Sequence, residues 1–373
     1  MLPTIVMEET DKSMEKNQKT PFMQGPFCPI PLRHNDQILI GHGSGGQMTQ
    51  ELIRQVFLPS FASDPLLLGN DFANLNLPEN IGSQGHLIVS TDAHIVTPLF
   101  FPGGDIGRLA VCGTVNDVSM SGAIPLYLTA GFILEEGLPI ETLSRVVHSM
   151  KVASEEAGVQ IVAGDTKVVE KGKADGLFIT TTGVGWLQEG FQIGGEQARP
   201  GDTVLISGSV GQHGIAVLAA RGELGFETDL QSDTAPLNHL IQEILKAAPH
   251  TRVLRDPTRG GLATTLNEIA TQSNVSIQIN EEDVPVLPAV RVACEMLGFD
   301  PFYIANEGKV IVITPPEEAD AAIMAMRNNV LGNQAAQIGT VFPHPQARVL
   351  LHTPIGGTRI LDVLAGELLP RIC

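Results

Sequence analysis

Aromatic side chains are scarce here: one Trp, two Tyr and 14 Phe in 373 residues. Any core this chain builds must therefore be aliphatic. Cysteine is scarcer still relative to length. Cys28, Cys112, Cys294 and Cys373 make no CxxC pair and no zinc-ligand spacing, and they exclude a disulfide framework in a chain this long. That usage fits a reducing cytoplasm. Positive charge is short, with 23 Lys and Arg against 41 Asp and Glu, a net charge of -18. A surface of that sign repels nucleic acid and anionic membranes, so neither is expected as a partner. It also repels ATP, so a nucleotide site would need metal ions or local donors. No stretch approaches the roughly 18 uninterrupted apolar residues of a membrane span. The opening MLPTIVMEETDKSMEKNQKT lacks the basic-then-apolar order of a signal peptide.

Glycine and proline are plentiful, at 39 and 25, which implies many tight turns. The length allows two domains with well-buried cores. Residues 1–36 are polar, proline-containing and aperiodic, and read as a mobile extension. A short strand at 37–40 leads into the glycine-rich 41–46, then a helix through Met48, Leu52, Ile53 and Val56. Strands are expected at 87–91, 126–134, 159–163 and 177–184. Between them come a helix from Asp105, its N-cap, to Gly122, and another from Pro139 to Ala157 stopped by Gly158. The turn Arg199-Pro200-Gly201-Asp202 marks a domain boundary. Beyond it, helices at 213–221, 236–248 and 260–273 alternate with strands at 203–208, 275–280, 309–313 and 335–341. The division is 37–197 and 198–345, two α/β domains, with a less regular segment and tail over 346–373.

Several strings can carry chemistry. Gly41-His42-Gly43-Ser44-Gly45-Gly46 matches G-x-G-x-x-G, but no second strand with an acidic residue follows at the right distance for a dinucleotide fold. A structural glycine turn and a loop whose N–H groups cover phosphates both remain open. Asp71, Asp92, Asp117 beside Asn116, and Asp165 lie at strand ends or in turns. Carboxylates arriving from separate elements suit a Mg²⁺ site completed by phosphate oxygens, although each alone suits a cap or turn. Lys167 follows Asp165 by two residues and can neutralise charge or orient a substrate, or simply lie exposed. Asp256-Pro257-Thr258-Arg259-Gly260-Gly261 reads equally as ordinary capping or as an anion-binding helix start with an Arg beside it. Ala305-Asn306-Glu307-Gly308-Lys309 reads as a polar turn. The chain closes Leu369-Pro370-Arg371-Ile372-Cys373, and this is not a prenylation box, which needs its Cys fourth from the end. A terminal Cys is usually accidental, but a thiol at the tip of a tail can visit a partner and then its own site, with Arg371 favouring the thiolate and the terminal carboxylate opposing it.

Together the strings HGSGG, TPLFFPGGDIGRLAVCGTVNDVSMSGA, GDTKVV, RDPTRGGLATTLNEIA, FYIANEGK and LPRIC resemble the HypE family of hydrogenase maturation factors, in order from Gln37 to Cys373. Ala93-His94 departs from the family's pattern. The resemblance implies an α/β, two-domain fold like aminoimidazole ribonucleotide synthetase, with N-terminal domains pairing into a dimeric β-barrel and a flexible tail bearing the reactive Cys373. It implies ATP-dependent dehydration of a carbamoyl group on Cys373 to a protein thiocyanate, the cyanide source for the iron of a [NiFe]-hydrogenase. It implies a carbamoyltransferase, HypF, as loading partner and a HypC–HypD complex as iron-carrying acceptor. By motif position, Gly43, Ser44, Gly45, Gly46, Asp92, Asn116, Asp165 and Thr166 would bind ATP. Asp71, Asp92, Asp117 and Asp165 would hold Mg²⁺, and Glu307 and Lys167 would flank Cys373. A neighbouring Lys would lower the pKa of Glu307 and burial would raise it; the sequence leaves that balance open.

Two other readings are weighed. A phosphotransferase or amide-activating synthetase would keep the fold and change the substrate; a selenophosphate synthetase would want a reactive Cys and Lys beside the glycine loop, which Cys28 does not satisfy. A non-catalytic carrier would need the tail but no ATP site.

Overall fold

The structure, a computed structural model, describes residues 46–52, 54, 67, 70, 73–75, 85–222, 228–364, 369 and 371–373. The expected extension over 1–36 and strand at 37–40 lie outside these residues.

The first sheet comprises β1 (Ala73–Leu75), β2 (Gly85–His94), β5 (Ile124–Glu135), β6 (Gln160–Val169) and β7 (Leu177–Gln188), in the order β1-β2-β7-β5-β6. A two-stranded hairpin, β3 (Phe100–Phe101) with β4 (Gly104–Asp105), follows β2. All pairs in the sheet are antiparallel except β5 and β6, which α3 (Ile140–Ala157) joins as a βαβ crossover. Gly158 ends α3 in the left-handed conformation, φ 71°, as the sequence predicts. Helix α2 (Ile106–Ser119) starts at Asp105, whose carboxylate accepts from the N–H groups of Gly107 (2.7 Å) and Arg108 (3.2 Å).

Alternation decides which face of this sheet is covered. Along β7, Leu177, Ile179, Thr181, Gly183, Gly185 and Leu187 are buried and the residues between them are not. Gly185 lets α2 lie close, because a Cβ there would stand 2.5 Å from Val118 Cγ1. The opposite face is open. Tyr127 and Ile133 of β5 are exposed on it, and β6, at the edge of the sheet, exposes Ile161, Val162 and Val168 as well.

The second sheet runs β14 (Thr358–Ile360), β13 (Arg348–His352), β10 (Ser276–Asn280), β12 (Ala336–Phe342), β8 (Thr203–Ile206), β11 (Ile311–Thr314), β9 (Val253–Arg255). Both its faces are covered. Val204, Ile206, Ile277, Ile311 and Ile313 pack on Leu262, Leu266 and Ile269 of α6 (Gly261–Gln272). Leu205, Leu254 and Val312 pack on Leu240, Ile241 and Ile244 of α5 (Asn238–Ala247) and on Ala322 and Met326 of α8 (Pro316–Asn328). Helices α4 (Gln212–Arg221) and α7 (Pro288–Leu297) complete the set.

Two departures from expectation follow from packing. The irregular stretch expected after His344-Pro345 contains β13 and β14, which hydrogen-bond into the second sheet; β13 pairs in parallel with β10, a long-range contact that has no local signal. The strand expected at 159–163 continues to Val169, so Asp165, Thr166 and Lys167 stand on a strand and not in a turn. Among the described residues, no helix is long and apolar enough to cross a membrane.

Candidate active site

The last residues of the chain pair with the segment that leaves β2. Ile372 bridges Val96 in antiparallel sense, and the N–H groups of Thr97 and Ile95 donate to the carbonyl oxygens of Arg371 and Cys373, each at 3.2 Å. Ile372 (6% exposed) and Leu369 (8%) are buried in the aliphatic core that α2 and α4 share. Burying such a side chain contributes about 1.5–3 kcal/mol, enough to offset much of the entropy lost in ordering a short tail. Docked in this way, Cys373 is half-buried.

The tail meets a cluster of charges. Arg259, in the turn before α6, is the cation that acts on Cys373. Its pKa is held up by Cys373 above all, and then by Asp92, Glu307 and Asp117, against the opposing effect of burial. Arg371, which the sequence offers as the thiol's activator, instead forms an ion pair with Asp175.

Glu307 is the least comfortable group in the cluster. It is 4% exposed, and its Oε1 has no hydrogen-bond partner. Burial pushes its pKa well above the ordinary carboxyl value; the carboxylates of Asp256, Asp92 and Asp233 add to this and Arg259 opposes it. The balance left open by the sequence is therefore settled by desolvation. A buried carboxyl with an unused oxygen is what a proton acceptor needs, since a raised pKa makes it the stronger base.

The loop that bears Glu307 is fixed from three sides. The Asp233 carboxylate accepts from the Glu307 N–H (3.1 Å) and from Lys309 Nζ (2.9 Å). Asn306 accepts from the Gly211 N–H (2.7 Å) and donates to the Pro257 carbonyl (2.9 Å), which ties the 305–309 string to α4 and to the 256–261 turn. The apparent polar turn is thus a buried hub.

Asp92 and Ser90 share one face of β2. The Ser90 hydroxyl donates to Asp117 of α2 at 2.8 Å, which brings the two aspartates onto facing elements. Asp92 Oδ2 lies 3.6 Å from Nε2 of the buried His94, and its Oδ1 accepts from the Ala93 N–H (2.7 Å). Burial lowers the His94 pKa, partly offset by Asp92. Among the described residues, no three His, Cys, Asp or Glu side chains already form a metal cage. Two half-buried carboxylates from adjacent elements nevertheless fit Mg²⁺, which commonly takes one or two carboxylates and completes its shell with phosphate oxygens and water.

The remaining expected residues lie elsewhere. Asn116 is a brace: buried, it donates to the Ala235 carbonyl (3.1 Å) and accepts from the Leu237 N–H (2.7 Å). Asp165, Thr166 and Lys167 are exposed on β6, where Lys167 pairs with Asp165 and the Thr166 N–H donates to the same carboxylate at 2.8 Å. The Lys167 hydrogen bond lowers the Asp165 pKa. Neither residue is among the charges acting on Glu307. Gly46 is buried ahead of α1 (Gln47–Leu52), whereas Gly43, Ser44, Gly45 and Asp71 lie outside the described residues. The structure adds Arg259, Asp256 and Asp233 to the cluster. The DPTRGG string offered the first two; nothing local marks Asp233.

Two α/β halves, one sheet open and one covered, with carboxylates on β2 and α2, define a protein of the AIR synthase related class. The family models agree: the N-terminal domain matches residues 69–187 and the C-terminal domain residues 199–352. Within that class, the chain belongs to the HypE family. It is 53% identical to the carbamoyl dehydratase HypE of Cupriavidus necator over 92% of this chain and 97% of that one. The crystal structure of a HypE–HypF complex matches at 48% identity and TM-score 0.78, covering 84% of this chain and 99% of that chain. A HypE structure in complex with ATP matches at 50% identity and TM-score 0.75, over 90% and 100%.

Proposed function

We propose that this protein uses ATP to dehydrate a carbamoyl group carried on Cys373, leaving a protein thiocyanate for hydrogenase maturation. The observation that carries this reading is the docked tail. It brings Cys373 within electrostatic reach of the Arg259 guanidinium, on which Asp92, Glu307 and Asp117 also act, and Glu307 is buried with one carboxyl oxygen unused. Membership of a family of carbamoyl dehydratases supplies the reaction class.

The chemistry suits these groups. An amide oxygen is a very poor leaving group until a phosphoryl is transferred to it. Arg259 is placed to stabilise the negative charge that gathers there. Glu307 takes protons from the carbamoyl nitrogen as the C≡N bond forms and phosphate departs. Asp92 and Asp117 would hold Mg²⁺, which when bound would neutralise the phosphates and orient them for transfer. Without it, the net charge of -18 opposes nucleotide binding.

The glycine-rich loop at 43–46 is assigned to the phosphates and Asp71 to the same metal; Thr166 assists Asp165. The exposed apolar residues of β5 and β6 support a homodimer in which two open sheets face each other, closing a barrel. In that arrangement Asp165 and Lys167 would meet ligand at the shared interface and not within one subunit. The domains are read as 37–197 and 198 to the end of the second sheet, with the tail beyond. HypF is the proposed loading partner, supported by the HypE–HypF structure, and a HypC–HypD complex the proposed acceptor. The protein is placed in the cytoplasm, where a reducing pool keeps Cys373 as a thiol.

The test is a mass spectrum of the C-terminal peptide after carbamoyl loading and addition of Mg-ATP. Loss of one water in the purified protein, absent in Cys373→Ala, supports catalysis on the tail. Stable carbamoylated peptide with partners absent would leave only a carrier.

A further inference from the structure

Helix α4 carries His213 in its first turn and Arg221 in its last. The two are eight residues apart and so share one side of the helix. Both reach the C-terminal tail. His213 is fully buried, with Nε2 2.5 Å from the Ile372 carbonyl oxygen and Nδ1 2.8 Å from Ser232 Oγ. A carbonyl only accepts, so Nε2 carries the proton and Nδ1 accepts from the serine hydroxyl. The edge of the imidazole packs against Phe101, ring centroids 5.4 Å apart at 87°, which links the FFPGGD string to the tail.

Arg221 works at the other end of α4. Its Nε donates to the Thr97 carbonyl (2.6 Å) and its Nη2 to the Arg371 carbonyl, so one guanidinium spans the tail and the segment it pairs with. Between them lies Gly214. A Cβ at this position would stand 2.6 Å from Ile304 Cγ2 and 3.1 Å from Leu369 Cδ1, so the glycine leaves room for Leu369 to seat. Asp175 holds the Arg371 side chain in an ion pair.

We propose that His213 and Arg221 are positioning residues for the dehydration step: a latch that keeps the tail inward. The inference rests on the reaction proposed above. A half-buried Cys373 cannot be presented to a separate loading enzyme while the tail is paired with residues 95–97, so the tail must leave and return. The latch grips main-chain carbonyls of Arg371 and Ile372. It therefore selects the position of the tail and is indifferent to what the sulfur carries.

The experiment uses the full-length protein and the variants Arg221→Ala, His213→Ala and His213→Gln, the last keeping a donor for Ile372. Four quantities are read: iodoacetamide alkylation of free Cys373, carbamoyl loading, single-turnover water loss with Mg-ATP, and Tm. Losing one good hydrogen bond shifts the tail equilibrium by roughly tenfold. Arg221→Ala should therefore be alkylated faster and dehydrate more slowly by about that factor, with loading and Tm unchanged. His213→Gln should retain more dehydration than His213→Ala. Alkylation at the wild-type rate, or loading that falls in step with dehydration, overturns the latch. Should His213→Ala fail to fold, the half-buried Arg221 decides by itself. A wild-type protein that loses no water would refute the reaction, while the alkylation contrast still decides the latch.

Discussion

Every residue of β11 is buried, whereas in β6 nine of ten are exposed. Both strands are rich in Val and Ile, so composition does not explain the contrast. β11 lies between β8 and β9 with α6 on one face and α5 and α8 on the other. β6 is an edge strand uncovered on both faces. An apolar edge is a liability unless something covers it, which is the physical ground for proposing the half-covered sheet as the dimer interface. The covered sheet supplies rigidity, and it holds Glu307 through the buried hub at 305–309.

The comparison breaks most visibly by placing a charge in each sheet. Ile313→Asp buries an unpaired carboxylate between two helical layers and should abolish soluble folded protein, because such a burial costs several kcal/mol, about the size of the whole folding free energy. Expression and circular dichroism would check it. Glu307→Gln comes next. Thiocyanate formation should fall by about 10²–10⁴, read by mass spectrometry, while the fold becomes more stable. The sign follows from the raised pKa: the folded carboxyl holds its proton more tightly than the unfolded one. The wild type therefore loses stability as pH rises from the ordinary carboxyl range through the folded value. The Tm gain of the variant should accordingly be larger near pH 8 than near pH 4, where the unfolded carboxyl is about half protonated or more. Equal Tm gain at both values would show that the carboxyl is not perturbed. In the wild type, the acid limb of dehydration should lie above the ordinary carboxyl range, and it should vanish with the carboxylate.

Smaller effects are expected on the open sheet. Ile133→Asp leaves the monomer fold within about 0.5 kcal/mol, since surface changes seldom do more, but should convert dimer to monomer in light scattering. A dimer of unchanged affinity would remove the open face as the interface. Lys167→Ala should be the mildest for stability, because its ion pair with Asp165 is exposed. Tm should not move. Dehydration should still fall if β6 faces a partner's nucleotide; unchanged turnover would confine Lys167 to the surface.

Some elements obey local rules of the sequence. Asp105 capping α2 and Gly158 ending α3 depend on neighbouring residues alone, and both were legible. So were the continuous apolar runs of β8 and β11. The parallel pairing of β13 with β10 was not, because it joins segments about seventy residues apart. The site divides the same way. The strings alone single out Glu307 and Cys373 as candidates, whereas the bracing hydrogen bonds of Asn116 follow from where residues 235–237 pass.

By itself the sequence determined the aliphatic core, the acidic surface, the caps and breaks of most elements, and the presence of a terminal thiol with acidic and glycine-rich strings. Those depend on residue type and short spacing. The tertiary structure alone decided that Glu307 is desolvated and carries a raised pKa, that Arg259 and not Arg371 acts on Cys373, and that His213 and Arg221 grip the tail. Burial and electrostatic reach are set by which distant segments pack together, and no local pattern encodes that.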